Sequence, residues 1–381
     1  MKRIYLDNNS TTKIDERVFE AMLPFLTEHY GNPSSTEHAF GWKANDSVNV
    51  SREHISDLIN CSPNEIIFTS GATESNNISI LGVLERYKNQ KKHAITVNTE
   101  HKSILDIFNY IEKNNTSTTY LDVQKNGIID INQLEDSIND TTRLISVMLA
   151  NNEIGVLQPI HKISQICRKQ GIIFHVDAAQ ALGKIHINLN ETKIDLMSFS
   201  SHKIYGPKGI GCIYLNRETM KNKIAPIIFG GDHERGLRPG TLSLHNIVGF
   251  GKACRISKKD IDKDINKINE LRDLMIANLM THLPDMRING DVSKRISGNL
   301  NVSFPGLVEK TLLKNLKKIA VSSGSACTSA SPTPSHVLKA IGLDDSLIDS
   351  TIRIGIGRFN TEKEIKEASK YIIKIITKLK N

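Results

Sequence analysis

Between residues 66 and 215, short apolar, β-branched runs alternate with stretches of helical periodicity. The runs at 66–69, 94–97, 144–149, 172–176, 196–199 and 212–215 predict strands, and 75–87, 103–112 and 160–169 predict helices between them. That alternation predicts an α/β fold, a mostly parallel sheet covered by helices on both faces, with ligands bound beyond the carboxyl ends of the strands. The pattern shifts after Gly249: 256–282 predicts a charged amphipathic helix, followed by strand-like segments at 299–304, 319–322 and 351–356 and a lysine-rich closing helix. We expect a large unit over 14–258. A smaller α+β unit would comprise 1–13 and 259–381, with the long helix joining the two and the N-terminal arm packed beside it. No internal repeat or low-complexity tract appears.

The 381 residues suffice for two apolar cores, and 24% charged with 39% hydrophobic residues is ordinary for a globular protein. The formal charge of +8 invites a nucleic-acid reading, but the lysines are dispersed, with modest clusters at 88–92, 258–267 and 366–380. Those clusters lie mostly on amphipathic helical patterns and read as solvated faces, so nucleic-acid binding is not expected as the primary function. An acidic partner or RNA is a secondary possibility. The longest apolar runs, such as 144–150 and 172–176, are far too short to span a bilayer, and the N-terminus has no apolar signal core. A cytoplasmic protein is expected. The five cysteines are odd in number and lack C-x-x-C spacing, so neither a disulfide framework nor a metal site is expected. Cys167, Cys212 and Cys254 read as buried structural thiols, and Cys61 precedes a Ser-Pro turn.

The run Ser198-Phe199-Ser200-Ser201-His202-Lys203 ends one predicted strand and opens onto a glycine-rich stretch, and Asp177 stands at the end of another strand. A lysine and an aspartate on neighbouring strand ends are the groups pyridoxal phosphate requires, one for its aldehyde and one for its ring nitrogen. Ser70-Gly71-Ala72-Thr73 reads as a tight turn into a helix, either a phosphate cup or simply a helix cap. Ser200 and His202 can add donors to the same phosphate. His101 follows a strand and can stack on a pyridine or be merely structural. Gln180 can donate to the ring oxygen, and Asn152 sits at the mouth of the preceding strand. Arg353, inside a strand-like run, is suited to a carboxylate, although strand arginines usually face solvent. Arg358 reads as a structural pair, and the glycine-rich loop 230–241 has no role by spacing alone. Cys327 lies in the small-residue loop 321–334, where a thiol is either an incidental exposed group or a candidate nucleophile.

Taken together, Tyr5-Leu6-Asp7-Asn8-Asn9-Ser10-Thr11-Thr12, Tyr30-Gly31-Asn32-Pro33-Ser34-Ser35, His175-Val176-Asp177-Ala178-Ala179-Gln180, Ser201-His202-Lys203, Ser323-Gly324-Ser325-Ala326-Cys327 and Gly357-Arg358-Phe359 closely resemble the pyridoxal-phosphate-dependent cysteine desulfurases of the NifS/IscS type, in the class V aminotransferase group. The resemblance spans nearly the whole chain and implies fold type I, with a seven-stranded, mostly parallel sheet in the large unit. It implies Lys203, Cys327 and His101 as the catalytic set: Lys203 as Schiff-base lysine, Cys327 as the thiol that accepts sulfur, His101 stacked on the ring. Asp177 and Gln180 would hold the ring, and Ala72, Thr73, Ser200 and His202 the phosphate. Asn152 and Arg353 would take the carboxylate of L-cysteine. Thr241 would reach the neighbouring subunit's phosphate in a homodimer. A transient acceptor, a cluster-assembly scaffold or a tRNA-thiolation protein, would collect the sulfur; the alternative is a selenocysteine lyase or a transaminase on the same scaffold.

The pattern departs from the family at Ser201, where glycine is usual, and at Pro239, where serine is usual. The chain also ends at Lys380-Asn381, short of the longer tail through which IscS-type enzymes engage their scaffold.

Overall fold

The computed structural model describes residues 3–221, 223–307, 312–323 and 334–380. The chain enters through a two-residue strand, β1 (Ile4–Tyr5), and then builds the main sheet from β2 (Ile66–Thr69), β3 (His93–Val97), β4 (Ser117–Leu121), β5 (Thr142–Met148), β6 (Ile173–Asp177), β7 (Leu196–Ser200) and β8 (Gly211–Leu215). Its strand order is β2-β8-β7-β6-β5-β3-β4. The pairs from β4 through β7 are parallel, whereas β8 runs antiparallel to both β7 and β2. The connection from Ser201 to Ile210 is too short for the crossover a parallel strand needs, so the chain turns straight back.

Side chains alternate across this sheet. Ile66 and Phe68, Phe174 and Val176, and Met197 and Phe199 face one apolar core, while Ile67, Ile173 and Leu196 face another. The seventh strand, β4, has no counterpart among the sequence-predicted strands. Its Ser-Thr-Thr-Tyr-Leu sequence sits at the sheet edge, half-exposed, and carries no apolar run for a pattern to detect.

A second core lies between a three-stranded sheet and helices. There β9 (Arg287–Ile288), β10 (Asn299–Ser303) and β12 (Thr351–Gly355) pair antiparallel, and β11 (Ile319–Ala320) pairs in parallel with β1. The predicted strand at 319–322 thus shortens to β11, with Ser322 bridged to Arg353 beyond it. The helix predicted over 256–282 runs from Leu244 to His282. Its first turns bury Ile247, Phe250 and Cys254 in the main core, and its later turns bury Ile268, Met275 and Leu279 in the second.

Strand alternation also decides what faces the large sheet. On β12, Ile352 and Ile354 enter the second core, leaving Thr351, Arg353 and Gly355 on the opposite face. There the N-terminal arm crosses, with Asn8 N–H donating to the Gly355 carbonyl at 3.1 Å. A Cβ on Gly355 would lie 2.6 Å from Asn9 Oδ1 and 2.8 Å from the Asn8 and Asn9 amides. Gly355→Ala is therefore expected to lower stability by about 1–3 kcal/mol, as overpacking does, and to push the arm off β12. An unchanged melting midpoint in this variant would contradict the close approach.

Candidate active site

The site lies beyond the carboxyl ends of β2, β5, β6 and β7, in a cavity of about 400 Å³ that the N-terminal arm closes with Asn9, Ser10 and Thr11. Ala72, Thr73, His101, Asn152, Asp177, Gln180, Ser200, His202, Lys203 and Arg353 all line it. Thr241 does not line this cavity and is exposed. Cys327 lies outside the described residues.

The helix Ala72–Arg86 begins directly after β2, and no side chain caps it. Its first backbone bond joins Ser75 N–H to the Gly71 carbonyl at 3.0 Å, so the amides of residues 72–74 precede the ladder. Gly71 has φ 155°, a conformation that side chains rarely tolerate. Glu74 ties this turn from beneath: it accepts from the Ser70 amide and, at 3.0 Å, from Arg238 Nε. Ser200, the last residue of β7, and His202 face the same cup. Burial and the cations Lys203, Lys208 and Lys184 push the His202 imidazole down to about 4. It is neutral at physiological pH, joined to Thr11 Oγ1 at 3.1 Å, and can offer one N–H to an anion.

Asp177 ends β6 with its carboxylate buried. Ala179 N–H donates to Oδ1 at 2.9 Å and Asn76 Nδ2 to Oδ2 at 3.0 Å. The same Asn76 nitrogen donates to Ser103 Oγ at 3.0 Å, and Ser103 bonds His101 Nδ1 at 2.9 Å. His101 is thus both the N-cap of the helix Lys102–Glu112 and a wall of the cavity.

Lys203 Nζ donates to the backbone carbonyls of Asn9 (2.7 Å) and Ser10 (2.6 Å), and Gln180 Nε2 also donates to Asn9 O (2.7 Å). Arg353 is not solvent-facing, as strand arginines usually are: it is 1% exposed. Its Nη1 donates to the Asn152 carbonyl at 2.9 Å. Its Nη2 reaches Asp7 Oδ1 (2.8 Å), Ser10 Oγ (2.6 Å) and Ser322 Oγ (2.7 Å).

This donor set fits pyridoxal phosphate: a carboxylate for the ring nitrogen, an amine for the aldehyde, a helix start with hydroxyls for the phosphate. The sequence reading missed the arm turn as a site element. Its only signal is the polar run Asn8-Asn9-Ser10-Thr11-Thr12 after apolar Ile4 and Leu6. It also missed Glu100, fully buried beside the site, whose Oε1 accepts from the Met148 amide at 2.6 Å and whose Oε2 has no partner. Burial, partly opposed by that hydrogen bond, and then Asp177 push this carboxyl well above the usual glutamate range.

The family model described as Aminotransferase class-V matches residues 4–367, and the chain belongs to that family. Within it the chain is of the NifS/IscS type. It is 50% identical over 377 residues to the protein named cysteine desulfurase IscS of Ehrlichia chaffeensis, covering 99% of this chain and 92% of that one. It is 49% identical over 377 residues to the IscS of Neisseria meningitidis serogroup A, with 99% and 93% covered. A solved structure titled NifS-like protein superposes with TM-score 0.92 at 36% identity, covering 99% of this chain and all (100%) of that one. Another, titled SspA in complex with cysteine, superposes with TM-score 0.83 at 34% identity, covering 94% and 100%.

Because burial holds the Glu100 carboxyl above the usual glutamate range, its proton contributes to stability. The neutral acid contributes its stability in full below the ordinary glutamate pKa of about 4.3, and that contribution is lost as pH rises through the raised folded value. Glu100→Gln carries no proton to lose. Its melting temperature is expected to fall less than the wild type's as pH is raised above the ordinary glutamate range. Parallel melting curves for the two proteins across that rise would show that Glu100 is not held neutral.

Proposed function

We propose that this chain is a pyridoxal-phosphate-dependent cysteine desulfurase that converts L-cysteine to L-alanine and passes the sulfur to Cys327 as a persulfide. The observation that carries the reading is the convergence of Lys203, Asp177, the uncapped helix start and buried Arg353 on one cavity. The named relatives, one of them titled as a cysteine complex, support the substrate. When bound, pyridoxal phosphate supplies an electron sink at the substrate α-carbon.

Around it the chain's residues divide the work. Asp177, fixed by Ala179 and Asn76, keeps a proton on the ring nitrogen. The amides at 72–74, with Thr73, Ser200 and neutral His202, hold the phosphate. The substrate carboxylate goes to Arg353, taking over from the neutral hydroxyls of Ser10 and Ser322 because a charged acceptor binds a guanidinium more strongly. Asn152 lines the cavity beside Arg353, where its amide N–H can share the substrate carboxylate. Lys203 Nζ would take the α-proton and hold it beside the α-carbon. The Cys327 thiolate then attacks the substrate sulfur: an S–S bond forms and the C–S bond breaks. Its electron pair stays with the carbon fragment, which gains one proton at the β-carbon, regains the other at the α-carbon from Lys203 Nζ, and leaves as alanine.

The described flanks of the Cys327 segment suit this role. Ser322 Oγ donates to Asp7 Oδ1 at 2.6 Å. On the other side Ser335 Oγ donates to Glu153 Oε2 at 2.6 Å, and His336 Nε2 meets the Glu100 carbonyl at 2.9 Å. Both flanks are fastened to segments that build the cavity.

Further parts of the reading are a homodimer, a division into units 14–258 and 1–13 with 259–381, and delivery of sulfur to cluster assembly or tRNA thiolation through a transient acceptor. Exposed Phe19, Leu23, Leu26, Tyr30, Phe40 and Trp42 support the dimer. Ser34 joins this apolar segment to His233 at 2.9 Å, in the loop that leads to Thr241. The apolar cores support most of the division, with its boundary inside the helix Leu244–His282, while Ile296, Val337, Leu338, Ile341 and Ile348 of the second unit pack into the main core. No helix among the described residues is long and apolar enough to cross a membrane.

Incubated with L-cysteine and a reductant, the protein is expected to release sulfide and alanine in equal amounts; a keto acid in place of alanine points to a transaminase. Cys327→Ala is expected to keep the cofactor's visible absorbance and lose sulfide release, and undiminished release would remove Cys327 from the mechanism. Lys203→Ala is expected to lose the lysine-linked absorbance band, and its persistence would place the attachment elsewhere. In analytical ultracentrifugation the wild type is expected to sediment as a dimer and Trp42→Asp as a monomer; equal masses would move the interface off this segment.

A further inference from the structure

Behind the cavity wall, Lys184 Nζ donates to Gln180 Oε1 at 2.8 Å. We propose that Lys184 is a positioning residue: by holding Gln180 Oε1 it fixes that amide with its nitrogen toward the cavity, as a donor to the ring oxygen of bound pyridoxal phosphate. The inference rests on the cofactor reading above and adds a residue that touches neither cofactor nor substrate.

The orientation follows from the chemistry of the two ends. Gln180 sits between an acceptor that cannot donate, the Asn9 carbonyl at 2.7 Å from Nε2, and an ammonium that cannot accept. Reversing the amide would set oxygen against a carbonyl and NH₂ against an ammonium. Nε2 carries a second N–H beyond the one given to Asn9, and Gln180 lines the cavity. The same Asn9 carbonyl accepts from Lys203 at 2.7 Å, so Lys184, Gln180, Asn9 and the cofactor lysine form one connected chain.

Lys184 holds this post only while protonated, and its surroundings make that a near thing. Burial, then the cations Lys203 and Arg353, push it down to about 7. It lines a small second cavity with Asp264 and Tyr205 on the far side of the arm turn. Asp264 faces it from the long helix but is paired with Arg358 Nε at 2.7 Å. The Tyr205 phenol, raised to about 12 chiefly by burial, is neutral. Below about 7 the ammonium fixes the amide; above it, the free amine can itself accept, and the constraint on Gln180 is lost.

The test uses the holoenzyme and reads the cofactor rather than turnover: the wavelength and pH midpoint of its visible band, and its affinity on dialysis and re-addition. Lys184→Met is expected to weaken pyridoxal phosphate binding by about tenfold, the scale of one misaligned hydrogen bond, and to move the band's pH midpoint. Lys184→Arg, a permanent donor, is expected to keep the affinity and flatten the pH dependence. In a Gln180→Leu background Lys184→Met is expected to add nothing, because its effect passes through Gln180. Unchanged band and affinity in a folded Lys184→Met protein overturn the proposal, and so do simply additive effects in the double variant. Should Lys184→Met fail to fold, Lys184→Gln takes its place: a weakened affinity and a moved midpoint support the proposal, and an unchanged band and affinity overturn it. A wild type that binds no pyridoxal phosphate overturns this inference together with the cofactor reading. A wild type that binds it normally, beside an indifferent Lys184 variant, overturns this inference alone.

Discussion

Arg353 carries a full charge into a place with almost no contact with water, and much of the site is arranged to make that tolerable. A buried guanidinium without partners costs several kcal/mol, so its N–H groups must be met by oxygens held in place. Those oxygens come from separate parts of the chain: Asp7 and Ser10 on the arm, Asn152 after β5, and Ser322 ahead of the Cys327 segment. Meeting the two Nη groups of one cation joins the arm, the main sheet and the second sheet at a single point, while its Nε stays buried without a partner. Arg358 does the same one layer back, paired with Asp15 at 3.0 Å and Asp264 at 2.7 Å and stacked 4.3 Å from the centre of the Tyr205 ring.

The arm turn is the counterpart of these cations. Its carbonyls and hydroxyls at residues 9–12 receive Lys203, Gln180 and His202 from the main sheet, so a segment from the start of the chain becomes the floor of the cavity. Lys203, Lys208 and Arg353 line the cavity against the carboxylates Glu74 and Asp177, a small excess of positive charge, while His202 is kept neutral. A positive, partly enclosed site concentrates anions, and both expected guests, a phosphate and a carboxylate, are anions.

Much of this was legible in the residues. Apolar runs marked every buried strand of the main sheet, because a strand covered on both faces is mostly apolar, even where buried His175, Ser198 and Ser200 interrupt it. The ends of those strands marked Asp177, Ser200 and Lys203, because open α/β sheets bind ligands there. Edge strand β4 was not legible, since exposed Ser117 and half-buried Thr118 carry no such requirement. Nor were Glu100 and Lys184, whose importance lies in what surrounds them and not in any pattern along the chain.

The sequence by itself determined the strand and helix types, the lysine–aspartate pair and the resemblance to a family, because period, turn chemistry and motif order are local properties. Only the tertiary structure decided that Arg353 is buried, that Asn9 lies between Lys203 and Gln180, and that Lys184 stands behind both. Those facts depend on which distant segments meet and on how much water they exclude, and a linear pattern carries neither.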